Sequence, residues 1–76
     1  MPKIQVWYES EDGVNHVKDK QLKKIARDWG STKVKAEYWR GPGYRYLTFT
    51  FPSTHVAESF GSDAHYMVGG LEWELS

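Results

Sequence analysis

Three histidines are the side chains best suited to proton transfer near neutral pH in this chain of 76 residues. His16, His55 and His65 do not form a recognisable catalytic pattern. His55 and Glu58 could share one face of a helix and, with Asp63 or His65, supply three metal ligands. Because that spacing is common by chance and no second paired motif supports it, we predict no metal site.

The sequence also lacks a convincing motif for a catalytic nucleophile or for phosphate binding. Ser53 and Thr54 follow Pro52 and are best explained as the cap of a helix. The glycines at 41, 43, 69 and 70 lie in turn sequences without the Lys and Ser or Thr of a phosphate-binding loop. No serine has the glycine spacing of a nucleophile elbow. The sequence therefore predicts a protein that is not an enzyme and holds no cofactor.

A segment with alternating aromatic residues gives a clearer functional signal than these motifs. The segment Gly43–Phe49 alternates strictly, so in a strand Tyr44 and Tyr46 lie on one face and Leu47 and Phe49 on the other. One face can build the core, while the other displays aromatic rings. Rings on the face away from the core are unfavourable in water and usually contact a nucleic-acid base or a protein partner. We therefore expect a binding surface on this strand.

The charges are unevenly distributed, although the formal net charge is zero. Between residues 16 and 45 the bases Lys18, Lys20, Lys23, Lys24, Arg27, Lys33, Lys35, Arg40 and Arg45 outnumber the acids Asp19, Asp28 and Glu37. Two interpretations of this basic segment stay open. It could be a solvated helix face with lysines that keep an edge strand from aggregating, or it could face phosphates or acids.

Composition favours one small globular domain over residues 1–76. The chain has no Cys, which suits a reducing cytoplasm. After Met1 there is no apolar stretch of signal-peptide length, and no window approaches the roughly 18 apolar residues of a membrane span. We expect a soluble cytoplasmic protein that does not associate with a membrane.

Two helices are predicted. Four apolar residues share the stripe of the first helix: Leu22, Ile25, Ala26 and Trp29. Gly30 ends this helix, and its start lies between Asn15 and Asp19, which are both competent caps. A short second helix should begin at Ser53 or Thr54 and end at Gly61.

Alternation predicts four strands, at Lys3–Glu9, Lys33–Arg40, Tyr44–Phe51 and after Gly69-Gly70 at Leu71–Leu75. In the second strand Val34, Ala36 and Tyr38 form the apolar side. The turn sequence Gly41–Gly43 should join the second and third strands in an antiparallel hairpin.

The resulting order is strand, helix, strand, strand, helix, strand. This order predicts an α+β fold of the ferredoxin-like split βαββαβ type, with a four-stranded antiparallel sheet and both helices on one face. The first and third strands then lie in the centre. An alternative comes from Asp12-Gly13, a hairpin signal that could pair Val6–Ser10 with Val14–Val17 and add a strand.

Gly43–Phe49 also resembles the longer signature of the RNA recognition motif, and Val6-Trp7-Tyr8 resembles the shorter one. In that family the aromatic residues at these positions stack bases on the open sheet. The resemblance implies stacking roles for Trp7, Tyr44 and Tyr46. Pro42 stands where the family favours Lys or Arg.

The split arrangement places four aromatic residues on the open sheet face: Trp7, Trp39, Tyr44 and Tyr46. Lys33 and Lys35 lie among them, with Glu37, Glu72 and Glu74 nearby. The surface is therefore mixed in charge and fits a protein partner better than nucleic acid. We predict a non-enzymatic binding module that uses this face and the 39–46 hairpin. Small inhibitors, adaptors and phage-type accessory factors are proteins of this class.

The predicted contact residues are Trp7, Trp39, Arg40, Tyr44, Arg45 and Tyr46, with the two arginines giving charge-assisted contacts at the turn. The alternative is a domain that binds single-stranded RNA or DNA through Trp7, Lys33, Lys35, Tyr44 and Tyr46. Two further possibilities stay open. The rings could cover one another and bind nothing, or the face could be buried in a homodimer.

Overall fold

A computed structural model describes residues 1–75. Its elements are β1 (Lys3–Glu9), α1 (His16–Asp28), β2 (Lys33–Trp39), β3 (Tyr44–Thr50), α2 (Thr54–Val68) and β4 (Leu71–Leu75). The strands form one antiparallel sheet in the order β2-β3-β1-β4, with β1 and β3 in the centre. The predicted ferredoxin-like α+β fold is confirmed. None of the helices in this part of the chain is long and apolar enough to cross a membrane.

The core lies between the sheet and the two helices. The inward side chains of β1 are Ile4, Val6 and Tyr8, all essentially inaccessible to solvent. The ring of Phe60 in α2 packs against two other buried rings, with centroids 5.1 Å from Phe49 and 5.0 Å from Phe51. Buried rings of this size supply much of the apolar area that a small domain needs.

The first helix begins at His16, within the predicted interval. The Asn15 side chain caps it by accepting a hydrogen bond from the Lys18 backbone N–H at 3.1 Å. The alternative hairpin at Asp12-Gly13 is wrong, because these residues form a turn and the next residues enter α1. Val17, which that hairpin would have placed in a strand, is 70% exposed on the helix.

The second helix does not end at Gly61, contrary to expectation, but continues to Val68. Gly61 is buried in the middle of α2, on the side of the helix that faces the sheet. A Cβ atom at Gly61 would lie 2.6 Å from Cδ2 of Trp73 and 2.8 Å from Cδ1 of Ile4. The glycine therefore permits close helix–sheet packing, and the helix ends instead at Gly69, which has a φ of 74°.

The apolar side of β2 is less covered than its alternation predicts. Val34 is 47% exposed and Ala36 is also exposed. Tyr38 is half-buried, and its hydroxyl donates to the Ser10 carbonyl at 2.7 Å. The helices shield the central strands, whereas β2 is an edge strand that pairs only with β3.

Candidate binding surface on the open sheet face

Strand pairing brings the predicted aromatic residues together on the side of the sheet away from the helices. Trp7 of β1 lies opposite Tyr46 of β3, and Trp39 of β2 lies opposite Tyr44. Tyr46 occupies the middle of the group, with ring centroids 6.0 Å from Trp7, 5.6 Å from Trp39 and 6.3 Å from Tyr44. We call Trp7, Trp39, Tyr44 and Tyr46 the aromatic face.

The rings of the aromatic face pack against each other at their sides but stay in contact with solvent. Trp39 is 55% exposed, and Trp7, Tyr44 and Tyr46 are half-buried. Their planes are tilted by 35° to 60° rather than stacked in parallel. Mutual contact therefore shields part of each ring and leaves aromatic area available to a partner.

Acidic groups border the aromatic face. Glu37 accepts a hydrogen bond from Trp39 Nε1 at 3.2 Å, and its other carboxylate oxygen lies 3.6 Å from Lys35 Nζ. Glu72 lies opposite Trp7 on the neighbouring strand, and Glu9 lies opposite Tyr44. The field around the rings is therefore not the positive field that attracts a phosphate backbone.

The lysines lie at the other end of the same sheet face. Lys33 and Lys35, with Lys3, border a shallow cavity of about 430 Å³ whose lining includes Thr48 and Thr50. The open sheet face thus has an aromatic end and a lysine-rich end.

The structure does not place Arg45 on the aromatic face, contrary to its expected position beside the rings at the turn. Arg45 alternates with Tyr44 and Tyr46 and points toward the helices, where its side chain is only 13% exposed. Its Nη2 and Nε donate to Asp19 Oδ2 at 2.8 and 3.1 Å. Arg40 is exposed in the turn, beside the loop that contains Asp12, and remains available for a charged contact.

Arg45 belongs instead to a buried polar network. The Tyr8 hydroxyl donates to Asp19 Oδ1 at 2.5 Å and also approaches the Asn15 carbonyl at 3.1 Å. Burial, followed by the hydrogen bond to Asp19, raises the pKa of Tyr8 well above its ordinary value. The network joins β1, α1 and β3 beneath the sheet.

Sequence reasoning missed this network, although a signal was present. Asp19 shares its helical stripe with Leu22 and Ala26, so a carboxylate on the inward side of α1 had to find a cationic partner. Arg45 is the base on the inward side of β3. The helical spacing of Asp19 and the strand alternation of Arg45 are therefore the signals that could have found the pair.

Two of the candidate metal ligands on α2, Asp63 and His65, form contacts with groups outside the predicted site. Trp29 Nε1 donates to Asp63 Oδ2 at 3.1 Å, and His65 Nδ1 lies 2.5 Å from the Leu71 carbonyl. His55 and Glu58 lie near Asp63 in an open surface depression. Within residues 1–75 no group of three or more His, Cys, Asp and Glu side chains is arranged to hold a metal ion.

The fold and the aromatic face define this chain as a small ferredoxin-like α+β domain with an open sheet. No family model and no curated protein sequence matches it. Among solved structures it is similar to the uncharacterized protein TM1266 from Thermotoga maritima, with a TM-score of 0.67 and 5% sequence identity. The alignment covers 99% of this chain and 91% of that one. At this identity the similarity shows the fold alone.

Proposed function

We propose that this protein is a non-enzymatic binding module whose aromatic face contacts another protein. The observation that carries the proposal is the group of three rings around Tyr46, on a sheet face that neither helix of residues 1–75 covers. Tyr and Trp are enriched among the residues that dominate protein interfaces, because they bury large apolar areas with little loss of side-chain entropy. An inhibitor, an adaptor or a phage-type accessory factor would use such a surface.

Trp39 and Tyr46 are the proposed central anchors. Trp39 offers the most exposed ring, and Tyr46 contacts the other three rings, so a partner that covers both would reach the whole group. Trp7 and Tyr44 flank them, and Arg40 in the adjacent turn can add a charge-assisted hydrogen bond.

Electrostatics favours a protein over nucleic acid. The acids Glu9, Glu37 and Glu72 are paired with or adjacent to the aromatic positions, and carboxylates repel phosphates. A protein partner can instead donate hydrogen bonds to these carboxylates at the rim of the contact.

Single-stranded RNA or DNA binding is the second candidate function. It is favoured by the lysine-rich end, where Lys33 and Lys35 could hold a backbone while Trp7, Tyr44 and Tyr46 stack bases. Base stacking on aromatic rings contributes about 1–3 kcal/mol per base.

Quantitative capture with matched variants tests the protein-binding proposal. The immobilised wild-type domain, Trp39→Ala and Tyr46→Ala are compared as baits in a lysate of the source organism. Tyr66→Ala is the control, because Tyr66 is an 85% exposed aromatic residue on α2. We expect a defined protein to be captured by the wild type and the control and to be lost with both face variants. Equal capture by all baits would contradict the proposal.

Tryptophan fluorescence during titration with a mixed single-stranded RNA and DNA pool separates the two candidates. A protein-binding face should give no quenching even at low salt. Quenching that weakens steeply toward physiological salt, and that disappears in Tyr46→Ala, would support the nucleic-acid function instead.

A further inference from the structure

A second surface lies on the opposite side of the sheet from the aromatic face, between α1 and the edge strand β2. Because α1 does not extend over β2, a groove of about 400 Å³ opens beside it. We call this the α1–β2 groove, and its lining includes Lys20, Lys23, Arg27, Lys33, Val34 and Phe49.

The walls of the α1–β2 groove are cationic. On α1 the residues Lys20, Lys23 and Arg27 follow one another at intervals of three and four, which places them along one side of the helix. Lys33, at the start of β2, also borders this groove, although strand alternation directs its side chain to the open sheet face. A second cavity, of about 430 Å³, shares Lys20 and Lys23 and continues along the helix to His16.

These cations lack internal counter-ions. Within the part of the chain that the structure describes, the ion pairs are Lys35–Glu37 and Arg45–Asp19, and neither includes a helix cation of the groove. Asp19 borders the second cavity, but Arg45 already neutralises it at 2.8 Å. Because the neighbouring cationic side chains on α1 repel each other, binding of a negatively charged ligand would reduce that repulsion.

The floor of the groove is apolar. Ala26 and Phe49 form its buried part, and Val34, at 47% exposed, is its accessible apolar side chain. A phosphate backbone would gain nothing from this floor, whereas a peptide with both carboxylate and apolar side chains would use the walls and the floor together. β2 also has one free edge, whose unpaired backbone groups favour an extended peptide.

We propose that the α1–β2 groove binds an extended acidic segment of a partner protein in which carboxylate and apolar side chains alternate. Lysines that only protect an edge strand against aggregation would need to lie on β2 itself. Lys20, Lys23 and Arg27 lie on the helix, where they add nothing to that protection. This site is separate from the aromatic face and does not depend on its function.

Fluorescence anisotropy with a labelled peptide of about ten residues that alternates Glu with Val tests the site. Lys23→Glu and Lys24→Glu form a matched pair, because both reverse one charge on α1 but Lys24 does not line the groove. We expect Lys23→Glu to weaken binding by about tenfold and Lys24→Glu by less than about twofold. Trp39→Ala should bind the peptide like the wild type, which separates this test from that of the aromatic face.

Two further probes address the apolar floor. A peptide that alternates Glu with Ser should bind about tenfold more weakly than the Glu–Val peptide, and Val34→Ser should reduce this difference. Equal losses in Lys23→Glu and Lys24→Glu, equal binding of the two peptides, or no binding of the Glu–Val peptide would overturn the proposal. Tighter binding of an oligo(dT) strand, lost in Lys23→Glu, would overturn it in favour of a phosphate site.

Discussion

Asp19 is a buried carboxylate in a domain too small to hide an unpaired charge. Its two oxygens are divided between two partners, with Oδ1 accepting from Tyr8 and Oδ2 from Arg45. Removing one partner from a buried ion pair typically destabilises a protein by about 3–5 kcal/mol, because the other charge is left without compensation. The network therefore fixes α1 to the two central strands, and it holds the Arg45 side chain on the helix side of the sheet, away from the aromatic face.

Tyr8→Phe tests the network through the pH dependence of stability. The pKa of Tyr8 is raised in the folded protein, while the unfolded chain has the ordinary value of 10.0. Below that value the hydrogen-bonded hydroxyl stabilises the wild type by about 1.5–3 kcal/mol relative to Tyr8→Phe. Above it the unfolded state loses the proton first, so stability falls as pH rises. The difference in the free energy of unfolding between wild type and Tyr8→Phe, measured by urea unfolding, should therefore decrease as the pH rises above 10.

The control for this measurement is Tyr66→Phe, at a side chain that is 85% exposed. It should not reproduce the narrowing. If the difference in the free energy of unfolding stays constant across the alkaline range, folding does not raise the pKa of Tyr8.

Among the elements, α2 shows how one small residue sets the distance between two layers. The helix approaches β1 and β4 at Gly61, where Ile4 and Trp73 fill the space that a side chain would need. Within a helix, glycine costs about 1 kcal/mol relative to alanine, so its presence has to be offset by packing. Close contact of α2 with Trp73 supplies that packing.

Gly61→Ala should destabilise the domain although it improves helix propensity. A Cβ atom 2.6 Å from Trp73 must displace that ring, and overpacking of this kind costs about 1–3 kcal/mol. Chemical denaturation would measure the loss, with Ser62→Ala as the exposed control on the same helix. In a Trp73→Leu background the cost of Gly61→Ala should be smaller by at least about 0.5 kcal/mol. An increase in stability in Gly61→Ala would show that the two layers separate freely.

Local sequence patterns predict the helices and strands correctly, and the errors arise where contacts between elements determine the structure. Period-two alternation predicts the four strands, and the stripe of α1 predicts the first helix, because both depend on residues close in sequence. From the sequence alone Gly61 resembles a helix terminator. Its actual role is to leave room for Trp73, which lies in another element and is not visible from the neighbouring residues. Val34 has the alternation of a core residue, but alternation does not say how far the helices extend across a sheet.

For the candidate site, alternation correctly places Trp7, Trp39, Tyr44 and Tyr46 on one face, because side chains in paired strands alternate strictly. It does not give the inter-ring distances, which depend on register and rotamer. The basic segment is visible in the sequence, but its division between the walls of the α1–β2 groove and the lysine-rich end of the sheet requires the packing of α1 against the sheet.

In the whole molecule, eight of the twelve aromatic residues lie in one of two environments, the core or the aromatic face. With a radius of gyration of 11.4 Å, it is in the size range where only about 60% of the unfolded surface can be buried. Tyr8, Phe49, Phe51 and Phe60 are buried, yet the four rings of the aromatic face stay partly in solvent. A domain with so little core gains little stability from rings at the surface, which favours a role in binding for them.

The free energies of unfolding of Trp39→Ala and Phe60→Ala test whether the core rings stabilise the fold more than the rings of the aromatic face do. Phe60 is fully buried and contacts two other rings, so its removal should cost about 3–5 kcal/mol, a large part of the stability of a small domain. Trp39 is 55% exposed, and loss of its contact with Tyr46 should cost only about 0.5–1.5 kcal/mol in urea unfolding. If Trp39→Ala instead costs as much as Phe60→Ala, the rings stabilise one another and the aromatic face is part of the fold rather than a surface for a partner.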